Sequence, residues 1–236
     1  LARLFLNSFV YALGCAFFNT LVPCLTAYWC ARYKFKWSRI MYAIVVICMI
    51  VPVVGSLPSE IRTSKGFLFG LVDIFGGNND LRNMLAPYGN FWGLWLMRAN
   101  FLGLYFLVFF EFFSSIPDSY MEAAKIDGAT PFKIMYKIGL PLVRNLFLTV
   151  LLINFITYWN DYQTPMVFMA RYPVISQGVL SIMWGNPSGG PVMIELCRGI
   201  GGCCAAVVLM IIPTLILFLA FNKKLMGNLS VGGIKG

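Results

Sequence analysis

The sequence predicts an all-α integral membrane protein, a polytopic helical bundle with five spans in this chain. Three observations predict it. First, 59% of the 236 residues are apolar and only 11% are charged, with a mean hydropathy of +0.78. An ordinary soluble domain carries about 25% charged residues, and a chain of this size buries at most roughly 70–75% of its surface. Second, apolar runs of about the 20 residues that a membrane helix needs recur along the chain. Third, four basic residues and no acid fill one short loop between those runs, Arg32–Arg39, as happens on the cytoplasmic side of membrane proteins. A soluble enzyme and a nucleic-acid binder are thereby excluded, despite a net charge of +9. Histidine is absent, which removes the commonest general base and metal ligand. The seven cysteines form no C-x-x-C pair, so they read as small buried hydrophobes rather than as a disulfide or zinc framework.

The first span is Leu4–Ala31, which holds no charged residue. It is longer than a crossing requires, so tilt or interfacial overhang is expected. The second is Ile40–Pro58, with Pro52 and Gly55 as kink sites. The third runs over about Phe91–Phe110 and carries one charge, Arg98. The fourth covers about Leu146–Trp159 and reaches spanning length by borrowing Pro141–Asn145. The fifth is about Gly199–Phe221, with Pro213 inside. The stretch Met166–Trp184 is apolar in patches but broken by Arg171 and Pro173, and reads as interfacial or re-entrant.

Loop charges set the orientation. Arg32, Lys34, Lys36 and Arg39 fill the short loop after span one with no acid among them, which makes that loop cytoplasmic. The loop at about 59–90 balances Arg62, Lys65 and Arg82 against Glu60, Asp73 and Asp80, and is external. The loop at about 161–198 balances Arg171 and Arg198 against Asp161 and Glu195, and is external too. Lys223, Lys224 and Lys235 put the C-terminus in the cytoplasm. Residue 1 then lies outside, and the chain opens with Leu1 and shows no signal-peptide pattern. The expectation is a natural protein of six spans with an earlier span ahead of this sequence. Residues 1–236 read as one transmembrane domain.

The segment at about 114–141 differs from the rest. Pro117 blocks continuation of the preceding helix. Ser119 and Glu122 have capping-box spacing, Gly128 suits a left-handed helix end, and Thr130 followed by Pro131 opens a second helix. That helix is expected to end near Gly139, where Leu140–Pro141 turns the chain back to the membrane. Met121, Ala124, Ile134, Ile138 and Leu140 supply apolar patches. Glu122, Lys125, Asp127, Lys133 and Lys137 supply charge. On physics alone, this segment either connects spans or presents a docking surface.

The string E-A-A-x3-G-x9-I-x-L-P is matched by Glu122, Ala123, Ala124, Gly128, Ile138, Leu140 and Pro141. It resembles the EAA loop of permease subunits of bacterial ABC importers. Asn7-Ser8, Ile116-Pro117, Trp159-Asn160 and the ending Val231-Gly232-Gly233-Ile234-Lys235-Gly236 are similar to the carbohydrate-uptake branch, the family of the smaller maltose-permease subunit. The resemblance implies a type I-like importer permease fold in a bacterial cell membrane, forming half of a translocation path for a carbohydrate. It implies four kinds of partner besides the lipid bilayer: a homologous second permease, two ATPase subunits, an external solute-binding protein and the sugar. No nucleic acid is expected. The loop would dock on the ATPase, and Glu122 would cap its own helix, pair with a basic ATPase residue, or do both.

No G-x-x-x-x-G-K-[ST] string occurs, so this chain has no phosphate-binding P-loop. It is expected to be no enzyme and to hold no cofactor, ATP and Mg²⁺ belonging to the partner ATPase. Polar groups at membrane depth mark the path by default. These are Asn19, Thr20 and Thr26, then Arg98 and Asn100, and Asn154, Thr157, Tyr158, Trp159, Asn160 and Asp161. Aromatic faces with amides and a carboxylate suit a sugar, and they equally suit an interfacial aromatic belt with a helix-end cap. The rival readings are a permease for another solute, such as a glycerol phosphate-like polyol, and a channel or secondary transporter. The latter would need acids at span centres, whereas Glu111, Asp161 and Glu195 sit at span ends.

Overall fold

The structure is a computed structural model that describes residues 2–33, 36–50, 91–169, 172–183 and 200–226. Residues 51–58 of the predicted second span with the kink sites Pro52 and Gly55, the predicted external loop 59–90, residues 170–171 and 184–198 of the other, and the tail from 227 onward lie outside them. All the regular structure among the described residues is helical. The helices are α1 (Ala2–Arg32), α2 (Lys36–Ile50), α3 (Phe91–Met97), α4 (Leu104–Ser115), α5 (Asp118–Ile126), α6 (Pro131–Ile134), α7 (Leu140–Asn160), α8 (Gln163–Phe168), α9 (Ile175–Met183) and α10 (Ile200–Met226).

Three described stretches are long and apolar enough to cross a membrane: Ala2–Arg32, Pro131–Asn160 and Cys204–Phe221. Two shorter apolar helical stretches, Ser38–Ile50 and Leu104–Ser115, accompany them. The predicted third span is not one helix. It breaks between α3 and α4, where Gly103 has φ +146 and ψ −178, a backbone region that is essentially restricted to glycine. The predicted turn at Leu140–Pro141 is absent as well. The helix that begins at Pro131 runs on through a π-helical turn, Met135–Gly139, into α7. A proline ring clashes with the carbonyl four residues back. For Pro141 that carbonyl belongs to Lys137, and the wider π turn gives it room.

The chain forms two compact units, and both α1 and α7 contribute to each. The first comprises residues 1–17, 54–98 and 152–223. Its core holds Tyr11, Cys15, Leu94, Phe155, Trp159, Phe168 and Ile175. The Trp159 indole donates to the Met210 carbonyl at 3.0 Å, which ties α7 to α10.

The second unit comprises residues 18–53, 99–151 and 224–236. Cys24, Ala27, Tyr28 and Cys30 of α1 pack with Val45 of α2, Phe106, Phe109 and Phe113 of α4, and Met121, Ala124 and Ile134 of the loop segment. Tyr42 and Phe110 meet at 5.0 Å between ring centroids, and the Ser38 hydroxyl donates to the Cys30 carbonyl. Cys15, Cys24 and Cys30 are buried as expected of small hydrophobes, whereas Cys48 and Cys204 are exposed on their helices.

Candidate functional site

The loop segment is built on a glycine turn. Helix α5 ends with Asp127 as its C-cap, and Gly128 follows at φ +73. The Gly128 N–H donates to the Lys125 carbonyl and the Ala129 N–H to the Ala124 carbonyl, both at 3.0 Å. This is the Schellman pattern, and it uses the left-handed conformation that glycine tolerates best. Thr130 is extended at the N-cap position and Pro131 occupies the first turn of α6, as the sequence predicts, but the Thr130 side chain makes no cap hydrogen bond. The capping box is not formed. Helix α5 starts two residues earlier than expected, with Pro117 rather than Ser119 at its N-cap and no side-chain cap hydrogen bond. Ser119 therefore lies inside the first turn, where Asp118 supplies the favourable negative charge instead.

The apolar residues divide differently from the expectation. Met121, Ala124 and Ile134 are buried within this chain, so a partner cannot cover them. Met121 and Ala124 stand three apart and share one helix face, and that face belongs to the core of the second unit. Other apolar side chains point outward: Tyr120, Ile126, Phe132 and Tyr136, with Ile126 86% and Tyr136 71% exposed. The same spacing rule would have found Ile126, which lies on the opposite side of α5 from Met121 and Ala124. Glu122, Ala123 and Gly128 are exposed, Ile138 and Leu140 are half-buried, and Pro141 is exposed. Glu122 also borders a cavity of about 240 Å³ with Tyr28, Arg32, Tyr33, Asp118, Met121, Lys125 and Ile134.

The predicted path residues divide between the two units. Asn100 belongs to the second, where it is exposed. In the first unit a polar cluster forms around Asp161. Its carboxylate accepts the Tyr11 hydroxyl at 2.9 Å, the Gln163 N–H at 3.0 Å and the Thr164 N–H at 3.2 Å. Its backbone carbonyl accepts the Ser176 hydroxyl at 2.8 Å. Arg98 donates to the Thr164 hydroxyl at 2.7 Å, and its guanidinium lies 5.7 Å from the centre of the Tyr158 ring. Tyr158 in turn meets Tyr11 edge-on at 6.2 Å. Arg98, Tyr158 and Asp161 are thus brought together.

The remaining path candidates do other work. Trp159 is buried against Phe155 and bonded to Met210. Asn160 is exposed and donates to the Ile156 carbonyl of its own helix. Asn154 is buried. Thr26 and Thr157 bond carbonyls one turn back in their own helices.

Sequence reasoning missed Tyr11, Thr164 and Ser176, which lie far apart in the chain and carry no local pattern. Asn7 and Ser8 were legible only as a family marker. Their geometry shows a tether: Asn7 donates to the Pro173 carbonyl at 3.1 Å, and the Ser8 hydroxyl accepts the Ile175 N–H at 2.7 Å, at the start of α9.

Comparison with known proteins places the chain. Residues 23–226 match the family described as binding-protein-dependent transport system inner membrane component. The chain is 26% identical to the diacetylchitobiose uptake system permease protein NgcG of Streptomyces coelicolor, over 98% of this chain and 69% of that protein. It is 27% identical to the melibiose/raffinose/stachyose import permease protein MelC of Bacillus subtilis, over all of this chain and 77% of that protein. Its fold is similar to a chain in the crystal structure of a bacterial ABC transporter involved in the import of the acidic polysaccharide alginate, with a TM-score of 0.64 at 20% identity, covering 93% of this chain and 75% of the other. With its apolar membrane-length helices and its complete E-A-A…G…I-x-L-P loop, the chain belongs to the binding-protein-dependent transport system inner membrane components, the integral membrane permeases of ABC importers.

Proposed function

We propose that this chain is one of two permease subunits of an ATP-driven carbohydrate importer in a bacterial cell membrane, and that the segment 114–141 couples it to a separate ATPase. The observation that carries the coupling role is the loop itself. Helix α5 ends in a Schellman turn at Gly128, and Ile126, Phe132 and Tyr136 stand exposed on either side of it. Large apolar side chains exposed along a short, otherwise polar segment are the pattern of an interaction surface. Glu122 is exposed on the same helix, where it can meet a basic partner residue. ATP and Mg²⁺ bind in the ATPase, since this sequence offers no phosphate-cradling loop. The loop then faces the cytoplasm, and an external binding protein delivers the solute to the opposite side.

The carbohydrate assignment draws on the names of the relatives, including an α-glucoside permease of Rhizobium meliloti and an arabinooligosaccharide permease of Bacillus subtilis. The Arg98–Tyr158–Asp161 cluster of the first unit has the chemistry to meet hydroxyl groups, although Tyr158 is buried and the Asp161 carboxylate already accepts three hydrogen bonds within the chain.

Uptake of labelled melibiose, raffinose, diacetylchitobiose and glycerol 3-phosphate by cells with and without this gene tests the substrate class. Loss of uptake confined to one or more of the sugars is the expected result. Loss confined to glycerol 3-phosphate would replace the carbohydrate reading with the phosphorylated-polyol one. A second expectation concerns energy. The purified chain alone should retain no ATP in equilibrium dialysis, and saturable binding would overturn the assignment of ATP to a partner.

A further inference from the structure

We infer that Arg32 is a positioning residue for coupling: its guanidinium fastens the start of α5 to the end of α1, so that movement of the loop is delivered to the first membrane helix. This deepens the coupling reading and rests on it.

The Arg32 side chain is only 7% exposed, although it closes a loop-facing helix end. Its Nη1 donates to the Asp118 carboxylate at 2.8 Å, and its Nη2 donates to the Ile116 carbonyl at 2.7 Å. These two acceptors bracket Pro117, the N-cap of α5. The planar fork of arginine can hold a carboxylate and a carbonyl at once, which the point charge of lysine cannot do in the same geometry. The placement also agrees with the helix dipoles. Arg32 lies in the last turn of α1 and Asp118 in the first turn of α5, where a cation and an anion are respectively favoured.

The same turn of α1 holds the other half of the loop. Trp29 meets the Phe132 ring at 5.4 Å. Tyr28 packs so closely on Gly139 that a Cβ there would come within 2.7 Å of its ring. Residues 28, 29 and 32 of one helix end therefore touch the entry to α5, the start of α6 and the π turn that leads into α7. A close-packed interface of this kind moves as a body rather than deforming. The Asp118 carboxylate is 70% exposed, so the ion pair alone adds little to stability. Its value lies in position: the fork fixes where α5 begins relative to α1.

The test uses the assembled importer in nanodiscs, purified through a tag on this chain, with and without ATP and vanadate. Amide exchange is read at residues 118–127 and at residues 27–33. In the wild type, trapping should change exchange in both segments. In Arg32→Ala the ATPase should still co-purify and α5 should still respond, while the response of residues 27–33 falls clearly below that of the wild type, because both charge-assisted hydrogen bonds to the entry of α5 are lost. Arg32→Lys should fall between the two. Should Arg32→Ala fail to assemble, Asp118→Ala removes half of the fork from an exposed position, and a smaller loss of the same response is expected. A wild-type response of residues 27–33 in Arg32→Ala, or in Asp118→Ala where that variant stands in, would overturn the inference. A wild-type chain that captures no ATPase would overturn the coupling reading, and the inference with it.

Discussion

Gly128→Leu is expected to abolish ATP-driven uptake while leaving the protein inserted in the membrane. Gly128 sits at φ +73, and a non-glycine residue there costs roughly 1–2 kcal/mol. That is too little to unfold membrane helices whose backbone hydrogen bonds are satisfied internally. A Cβ at this position meets nothing within 4 Å, so no clash arises inside the chain. The leucine would instead stand in open space on the loop that carries the exposed Ile126 and Phe132, where the ATPase surface is proposed to lie. Gly128→Ala separates the two causes. It imposes the same backbone strain with a minimal side chain, and should retain part of the uptake. Membrane fractionation, co-purification of the ATPase and uptake of a sugar identified above report the result. Wild-type uptake in Gly128→Leu would reduce this segment to a connector.

Much of the loop was legible because its signals are local. A glycine after a run of helix formers and a Thr-Pro pair each act over a few residues, and both fell where expected. Two local signals misled, one for a non-local reason and one for a local one. Ser119–Glu122 has the spacing of a capping box, yet Asp118 is drawn into the helix, where Arg32 binds it from 86 positions away. Leu140–Pro141 reads as a chain reversal, yet the π turn before it lets the helix continue. Arg32 itself was read only as one of several basic charges that orient the chain. Its partners Ile116 and Asp118 become neighbours only when α1 and α4 pack in one core. The polar cluster shows the same limit. Arg98, Tyr158 and Asp161 were visible as polar residues at membrane depth, but Tyr11 lies 150 positions from Asp161, and no periodicity links them.

Asp161→Ala is expected to lower stability sharply, and the way it does so separates two roles for this carboxylate. In the structure Asp161 accepts the N–H groups of Gln163 and Thr164, the orphan donors at the start of α8. Losing a cap of this type costs about 0.5–2 kcal/mol. It also accepts the hydroxyl of Tyr11, which is 1% exposed, and a buried donor left without its acceptor costs about 1–3 kcal/mol more. Tyr11→Phe should be much milder, because it removes the donor and leaves the carboxylate its two backbone partners. The double variant should then lose less than the two single losses combined, since both remove one shared bond. Thermal unfolding in detergent, followed by tryptophan fluorescence, measures all three. Asp161→Asn supplies the decisive comparison, because the amide keeps an oxygen for the helix cap but not the charge. If Asp161 is chiefly a tether, Asp161→Asn shifts the unfolding temperature and leaves the KM for uptake near that of the wild type. If it holds a sugar hydroxyl, KM rises while the unfolding temperature stays close to that of the parent. The three hydrogen bonds already made by the carboxylate favour the first outcome, because each occupies a lone pair that a sugar would otherwise use.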